Sequence, residues 1–222
     1  MSNRPDADGL FHISTEIAKG ILILSTNSSG LRAKVPSNTY SIPNRFRKLA
    51  MQTDRNTFQI DVEGLILERN LPVGTYRLNR VIHGLENSPA VRRMLSTVNE
   101  RERILNNTMV TLVAGQGYMR VDRDDTILVA QEHLRSSDER VVYLDFIHEL
   151  VHLKQAEKGR TLYDTSVRYV DKDTEIEAYQ VVVTEGRRIG MNDKELGDYL
   201  MVPWITAEEL KRFLKKLGVK HE

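Results

Sequence analysis

The spacing of apolar positions divides the chain into segments of different character. Residues 10–24 read as a helix, or as a strand running into a helix, and 25–45, rich in Ser, Asn, Pro and Gly, read as loop. Phe58-Gln59-Ile60-Asp61-Val62 alternates with period two, as a half-buried strand does, and 64–68 extends it. Pro72-Val73-Gly74 marks a turn. Over 77–105 the pattern predicts two helices with a break near Asn87-Ser88-Pro89, where Ser88 suits an N-cap and Pro89 the first helical position. Strand-like runs then follow at 109–113, 118–121 and 126–129, separated by Gly115-Gln116-Gly117 and by a polar turn at 122–125. Together they predict an antiparallel meander.

A long helix comes next, from a Ser136-x-x-Glu139 capping box to a stop at Gly159. Val141, Val142, Leu144, Phe146, Ile147, Leu150, Val151 and Leu153 cover most of its girth, so it is a buried helix with one narrow polar stripe. The stripe is Asp145, His148, Glu149, His152 and Ala156. A further helix runs from 171 or 173 to Ile189 and ends at Gly190, a short one spans 193–200, and a last one is capped by Thr206-x-x-Glu209 and closed by Gly218. Lys211, Arg212, Lys215 and Lys216 lie on the solvated side of that last helix, and its acidic start and basic end match the helix dipole.

Composition narrows the function classes. The chain has 222 residues, 40% hydrophobic and 28% charged, with a formal net charge of +1. That balance is ordinary for a globular protein and gives no electrostatic case for nucleic acid or an anionic membrane. Cysteine is absent, so disulfides and thiolate metal sites are excluded and any metal must be held by His, Asp or Glu. The first nine residues have no apolar leader-like run and Ile21-Leu22-Ile23-Leu24 is too short to span a bilayer, which predicts a soluble cytoplasmic protein.

The polar stripe carries the chemistry. His148-Glu149-Leu150-Val151-His152 is an H-E-x-x-H sequence, and residues four apart stand one turn apart on one helix face. Two such imidazoles can grip one Zn²⁺, and Glu149 beside them can act as general base on a zinc-bound water. A third protein ligand is needed. The position six residues after His152, where a third His could follow, is Lys158. Acidic residues are the alternatives, and the helix after 171 offers two. Glu175 shares a small, apolar face with Ala178, Tyr179, Val182 and Gly186, suited to packing on the histidine helix. Glu177 lies with Val181, Thr184 and Arg188, and Thr174-x-x-Glu177 also fits a capping box. Glu175 is the favoured ligand, with Glu177 the competing one.

The phrase from Leu144 to Gln155 followed by Glu175-Ile176-Glu177-Ala178-Tyr179 resembles the gluzincin zinc metallopeptidases, most closely the minigluzincins, over residues 108–190. The resemblance implies an α+β fold with a zincin-like core (meander, active-site helix, Glu helix) at 106–222 and an N-terminal α/β extension of unassigned role at 1–105. It implies Zn²⁺ held by His148, His152 and Glu175, with Glu149 as the catalytic base of peptide-bond hydrolysis, as an endopeptidase. It also implies a peptide or protein substrate bound as an extended strand along a sheet edge. The chain departs from the larger gluzincins where they often place an Asp four residues after the ligand Glu; Tyr179 stands there. Tyr169, Tyr179 and Tyr199 are the candidates for oxyanion stabilisation, and their weakness leaves a catalytically inactive zinc-binding scaffold as the rival reading. The isolated His12, His83 and His133 read as structural, His133 at the rim of the site, and His221 lies in the tail.

Overall fold

The computed structural model describes residues 60–122 and 124–220. The elements expected over 10–24 and 25–45, the start of the strand expected at 58–62, His12 and His221 lie outside the described residues. In chain order the elements are β1 (Ile66–Leu67), β2 (Gly74–Arg77), α1 (Leu78–Val81), β3 (Ile82–His83), a 3-10 turn (Leu85–Asn87), α2 (Pro89–Met94) and α3 (Val98–Asn107). There follow β4 (Met109–Val113), β5 (Met119–Val121), β6 (Ile127–Ala130), α4 (Gln131–Ser136), α5 (Glu139–Glu157), a 3-10 turn (Tyr169–Asp171), α6 (Asp173–Arg188), α7 (Asp193–Leu200) and α8 (Ala207–Leu217). The architecture is mixed α+β, with eight helices and two small sheets among the described residues.

The strands do not form the antiparallel meander that the sequence pattern predicts. The main sheet has the order β2-β4-β6-β5, with β4 parallel to β6 and β5 antiparallel to it. Burial explains the order. Every residue of β6 is buried, so this continuous apolar run takes an interior place. In β5, buried residues flank a half-exposed one, and β5 takes the edge. The connection from β4 to β5 crosses the end of β6 through Gly115, whose φ of +105° suits glycine and whose carbonyl accepts from the Glu132 N–H. The other edge strand, β2, pairs with β4, so the sheet draws on both sides of position 106.

The helix carrying H-E-x-x-H is α5, and its start differs from expectation. Ser136 ends α4 and its hydroxyl donates to Glu132 rather than capping α5. Extended Ser137 breaks the chain between the two helices, and Asp138 is the cap, its Oδ1 accepting the Arg140 N–H at 2.8 Å. At the other end Gly159, at φ +72°, stops the helix where the sequence places the stop. Val142, Leu144, Phe146, Ile147 and Leu150 are wholly buried, so α5 is the axis of the core. It packs along α6 on one side and against β5 on another. Gly186 permits the close approach around α6, since a Cβ there would lie 2.7 Å from Leu196 Cδ2 of α7 and 3.5 Å from Leu144 Cδ1 of α5.

Of the two helices expected over 77–105, the first shrinks to α1, because residues 82–83 pair as β3 with β1, and the second divides into α2 and α3. Ser88 caps α2 as expected, accepting the Val91 N–H. The same hydroxyl donates at 2.7 Å to the Tyr143 hydroxyl, which donates at 2.7 Å to Glu185 Oε1. Glu185, wholly buried, is neutralised by Arg188 at 2.6 Å and meets Arg93 of α2 at 3.4 Å. This network fastens α2 to α5 and α6. Tyr143→Phe deletes its central hydroxyl and leaves a buried carboxylate short of a donor. The unfolding midpoint in urea should fall by the equivalent of about 1–2 kcal/mol with an unchanged denaturant slope.

Candidate metal centre

Three side chains able to hold a metal ion meet on the α5–α6 contact. His148 and His152 point from α5, and Glu175 from the first turn of α6. The two Nε2 atoms are 2.9 Å apart, and Glu175 Oε2 lies 3.4 Å from that of His148 and 3.5 Å from that of His152. A tetrahedral ion with bonds of about 2.0–2.1 Å needs ligand atoms roughly 3.3 Å apart, so the donor set fits one metal ion. All three side chains are buried, and this is the one His/Cys/Asp/Glu group among the described residues able to hold a metal. Burial of a carboxylate with two imidazoles is costly unless a cation offsets it.

Glu177 belongs to a different face. Its Oε2 accepts from Gln155 Nε2 at 2.9 Å and pairs with Arg160, away from the histidine ring nitrogens. That pairing contributes to holding its carboxyl below the usual range. The capping box expected of Thr174 and Glu177 does not form, because Lys172 occupies the cap position of α6.

Gln155, one turn beyond His152, is the neighbour that the sequence pattern did not single out. Its Nε2 donates to the Thr174 carbonyl and to Glu177, so its Oε1 must accept, and it accepts from His152 Nδ1 at 2.8 Å. This fixes the proton on Nδ1 and aims the Nε2 lone pair at Glu175 and His148. The signal was present as a Gln at i+3 from a ligand His, yet only its pairing with Thr174 across the helix contact distinguishes it from a surface glutamine. His148 Nδ1 is buried without a hydrogen-bond partner among the described residues, and its ring is held instead against Tyr179, with centroids 4.4 Å apart.

Glu149 sits on the same stripe, 3% exposed, and its Oε2 accepts the backbone N–H of Val121 at 2.7 Å. That bond orients the carboxylate at the junction of α5 with the sheet edge. Asp145 completes the stripe. Its two oxygens accept from the Tyr199 hydroxyl and pair with His133 Nε2, both at 2.7 Å, while His133 Nδ1 meets Ser137 Oγ at 2.8 Å. His133 is therefore part of a half-buried chain that joins α4 and α7 to the histidine helix, and not an isolated rim residue. His83, by contrast, lies near the surface, 3.8 Å from Glu68.

The three tyrosines form a wall beside the ligands. The Tyr169 hydroxyl lies 2.9 Å from the Tyr179 hydroxyl, while Tyr199 is committed to Asp145. Burial raises all three phenols well above their ordinary value, reinforced by the charge of Glu175 at Tyr169 and Tyr179 and of Asp145 at Tyr199. They are neutral donors, and the Tyr199 proton already has its acceptor in Asp145.

No protein-family model, curated protein or solved structure matches this chain.

Equilibrium dialysis against Zn²⁺ or Co²⁺ should give one ion per chain. His148→Ala, His152→Ala and Glu175→Gln should abolish that binding, and Glu177→Gln should retain it. Gln155→Ala should weaken it about 10- to 100-fold, because the His152 ring loses the acceptor that fixes its tautomer.

Proposed function

We propose that this protein is a zinc-dependent peptidase of the gluzincin type, with His148, His152 and Glu175 as ligands and Glu149 as the base. The observation that carries the reading is the placement of Glu149. Its carboxylate shares the ligand stripe of α5 and is tied to the edge strand β5 through the Val121 N–H. Two imidazoles and one carboxylate favour zinc among divalent ions. When bound, zinc supplies Lewis acidity to the scissile carbonyl and to the attacking water.

The remaining steps fall to the chain. Glu149 takes the proton of the attacking water and delivers it to the leaving amine. Gln155 holds the His152 tautomer through its hydrogen bond to Nδ1. The edge of β5 would pair with an extended peptide through Met119, whose main-chain groups turn away from β6, and so bring the scissile carbonyl toward Glu149. Endopeptidase action on a peptide or protein segment follows from binding by main chain rather than by a terminus.

One observation favours a second reading, a zinc-holding scaffold without turnover. The hydroxyls of Tyr169 and Tyr179 bond one another and that of Tyr199 bonds Asp145, so an oxyanion would have to compete for them.

Cleavage of a diverse peptide library by the zinc-loaded protein, read by mass spectrometry, separates the two readings. The wild type should cut, and Glu149→Gln should lose about a hundred- to ten-thousand-fold in rate while keeping its zinc. Equal cleavage by both proteins would remove Glu149 as the base. No cleavage by the zinc-loaded wild type would favour the scaffold.

A further inference from the structure

A cleft of about 200 Å³ lies between α2, α5 and α6. On α5 it is lined by Val151, Lys154, Gln155 and Lys158, which share one helix face at the spacing i, i+3, i+4 and i+7. α2 adds Arg93 and Met94, α6 adds Glu177 and Val181, and Arg160 follows the end of α5. Four cations and one carboxylate therefore meet at the same space.

Two of these cations have work in the fold. Arg160 pairs with Glu177. Lys154 stands 3.7 Å from Glu100 and places its ammonium on the Met94 carbonyl, at the end of α2. The other two are surplus. Arg93 reaches Glu185 at 3.4 Å, but Arg188 already holds that carboxylate at 2.6 Å, and the Arg93 side chain is 56% exposed. Lys158 is exposed and forms no ion pair among the described residues; its charge reaches Glu177 only from further off. Neither is needed to cap α5. The Gln155 carbonyl accepts the N–H groups of Lys158 and Arg160, and the Ala156 carbonyl accepts that of Gly159. The rest of the lining is apolar, with Val151 buried and Met94 and Val181 half-buried.

We propose that this cleft binds a phosphate group, either as the free ion or as the monoester of a small molecule. A phosphate monoester carries about −1.5 to −2 charges at pH 7, which matches two surplus cations. The planar guanidinium forks of Arg93 and Arg160 suit pairs of phosphate oxygens, and the Lys158 ammonium adds a mobile point charge. The space far exceeds the roughly 10–15 Å³ that one water needs, so a tetrahedral anion fits with room for a small ester group against Met94, Val151 and Val181. None of the cations is a candidate metal ligand, and the site stands whether or not the protein cleaves peptides.

Isothermal titration of the zinc-loaded 222-residue chain tests the proposal with inorganic phosphate, phenyl phosphate and benzoate, the last a monoanion on the same ring. One phosphate should bind per chain, and benzoate should bind at least about ten-fold more weakly than phenyl phosphate. Tighter binding of phenyl phosphate than of inorganic phosphate identifies a monoester that uses the apolar lining; equal or weaker binding identifies the free ion. Arg93→Gln and Lys158→Gln change exposed side chains, so both proteins should fold and keep one zinc. Each should weaken phosphate binding about five- to twenty-fold, the loss of one charged contact. Unchanged affinity in both variants would put the phosphate on the metal or elsewhere and overturns the site. So does the absence of binding by the wild type, or benzoate binding as tightly as phenyl phosphate. Amide resonances of the wild type give a check that needs no variant. Phenyl phosphate should shift those of Met94 and of residues 158–160 most, and shifts confined to other segments overturn the proposal.

Discussion

The structure depends on how a buried helix carries charge. Most of the surface of α5 is sealed by aliphatic and aromatic packing, yet it bears Asp145, His148, Glu149 and His152 along one line. Each of these groups loses hydration on folding, and each loss must be offset locally. Asp145 is satisfied by His133 and Tyr199, and Glu149 by a backbone N–H. His152 is satisfied at one nitrogen by Gln155. What remains is a pair of imidazole nitrogens facing Glu175, an arrangement whose charge and spacing suit a divalent cation. The elements around α5 can be read as suppliers of these partners: α4 gives His133, α7 gives Tyr199, α6 gives Glu175 and Tyr179, and β5 gives Val121.

The network around Glu185 is the counterpart at the other end of α6. It too buries a carboxylate, but arginines and a tyrosine neutralise it and no ligating histidine is near. The contrast separates a buried acid that fastens elements from one that is left facing imidazoles. Within α6 the two kinds stand ten positions apart, Glu175 in its first turn and Glu185 near its last. The first lies where a positive helix N-terminus favours an acid, and the second is compensated by its own neighbour Arg188. No helix among the described residues is long and apolar enough to cross a membrane.

The division between what the chain announces and what the fold assigns follows from range. Local pattern was enough for α5, α6, α7 and α8, because their periodicity, caps and stopping glycines involve residues within a few positions of one another. It was enough for the His148-Glu149-x-x-His152 stripe for the same reason, one turn of helix being a local distance. It failed at 136–139, where two capping residues competed and the break at Ser137 gave the role to Asp138. It also failed for the sheet, since three short strands in succession suit a meander equally well, and only the complete burial of β6 puts it between β4 and β5.

By itself the sequence determined the histidine pair, the neighbouring Glu149, the absence of thiolate ligands and the face of α6 on which Glu175 stands. The tertiary structure alone placed Glu175 against the histidines while turning Glu177 toward Gln155 and Arg160. It alone gave Gln155, His133 and Tyr199 their partners and brought Tyr163 to the edge of β5. Each of these depends on contacts between elements whose relative placement is set by packing against α5. Periodicity along a chain reports which face of a helix is buried, but not which side chain of another element will meet it there.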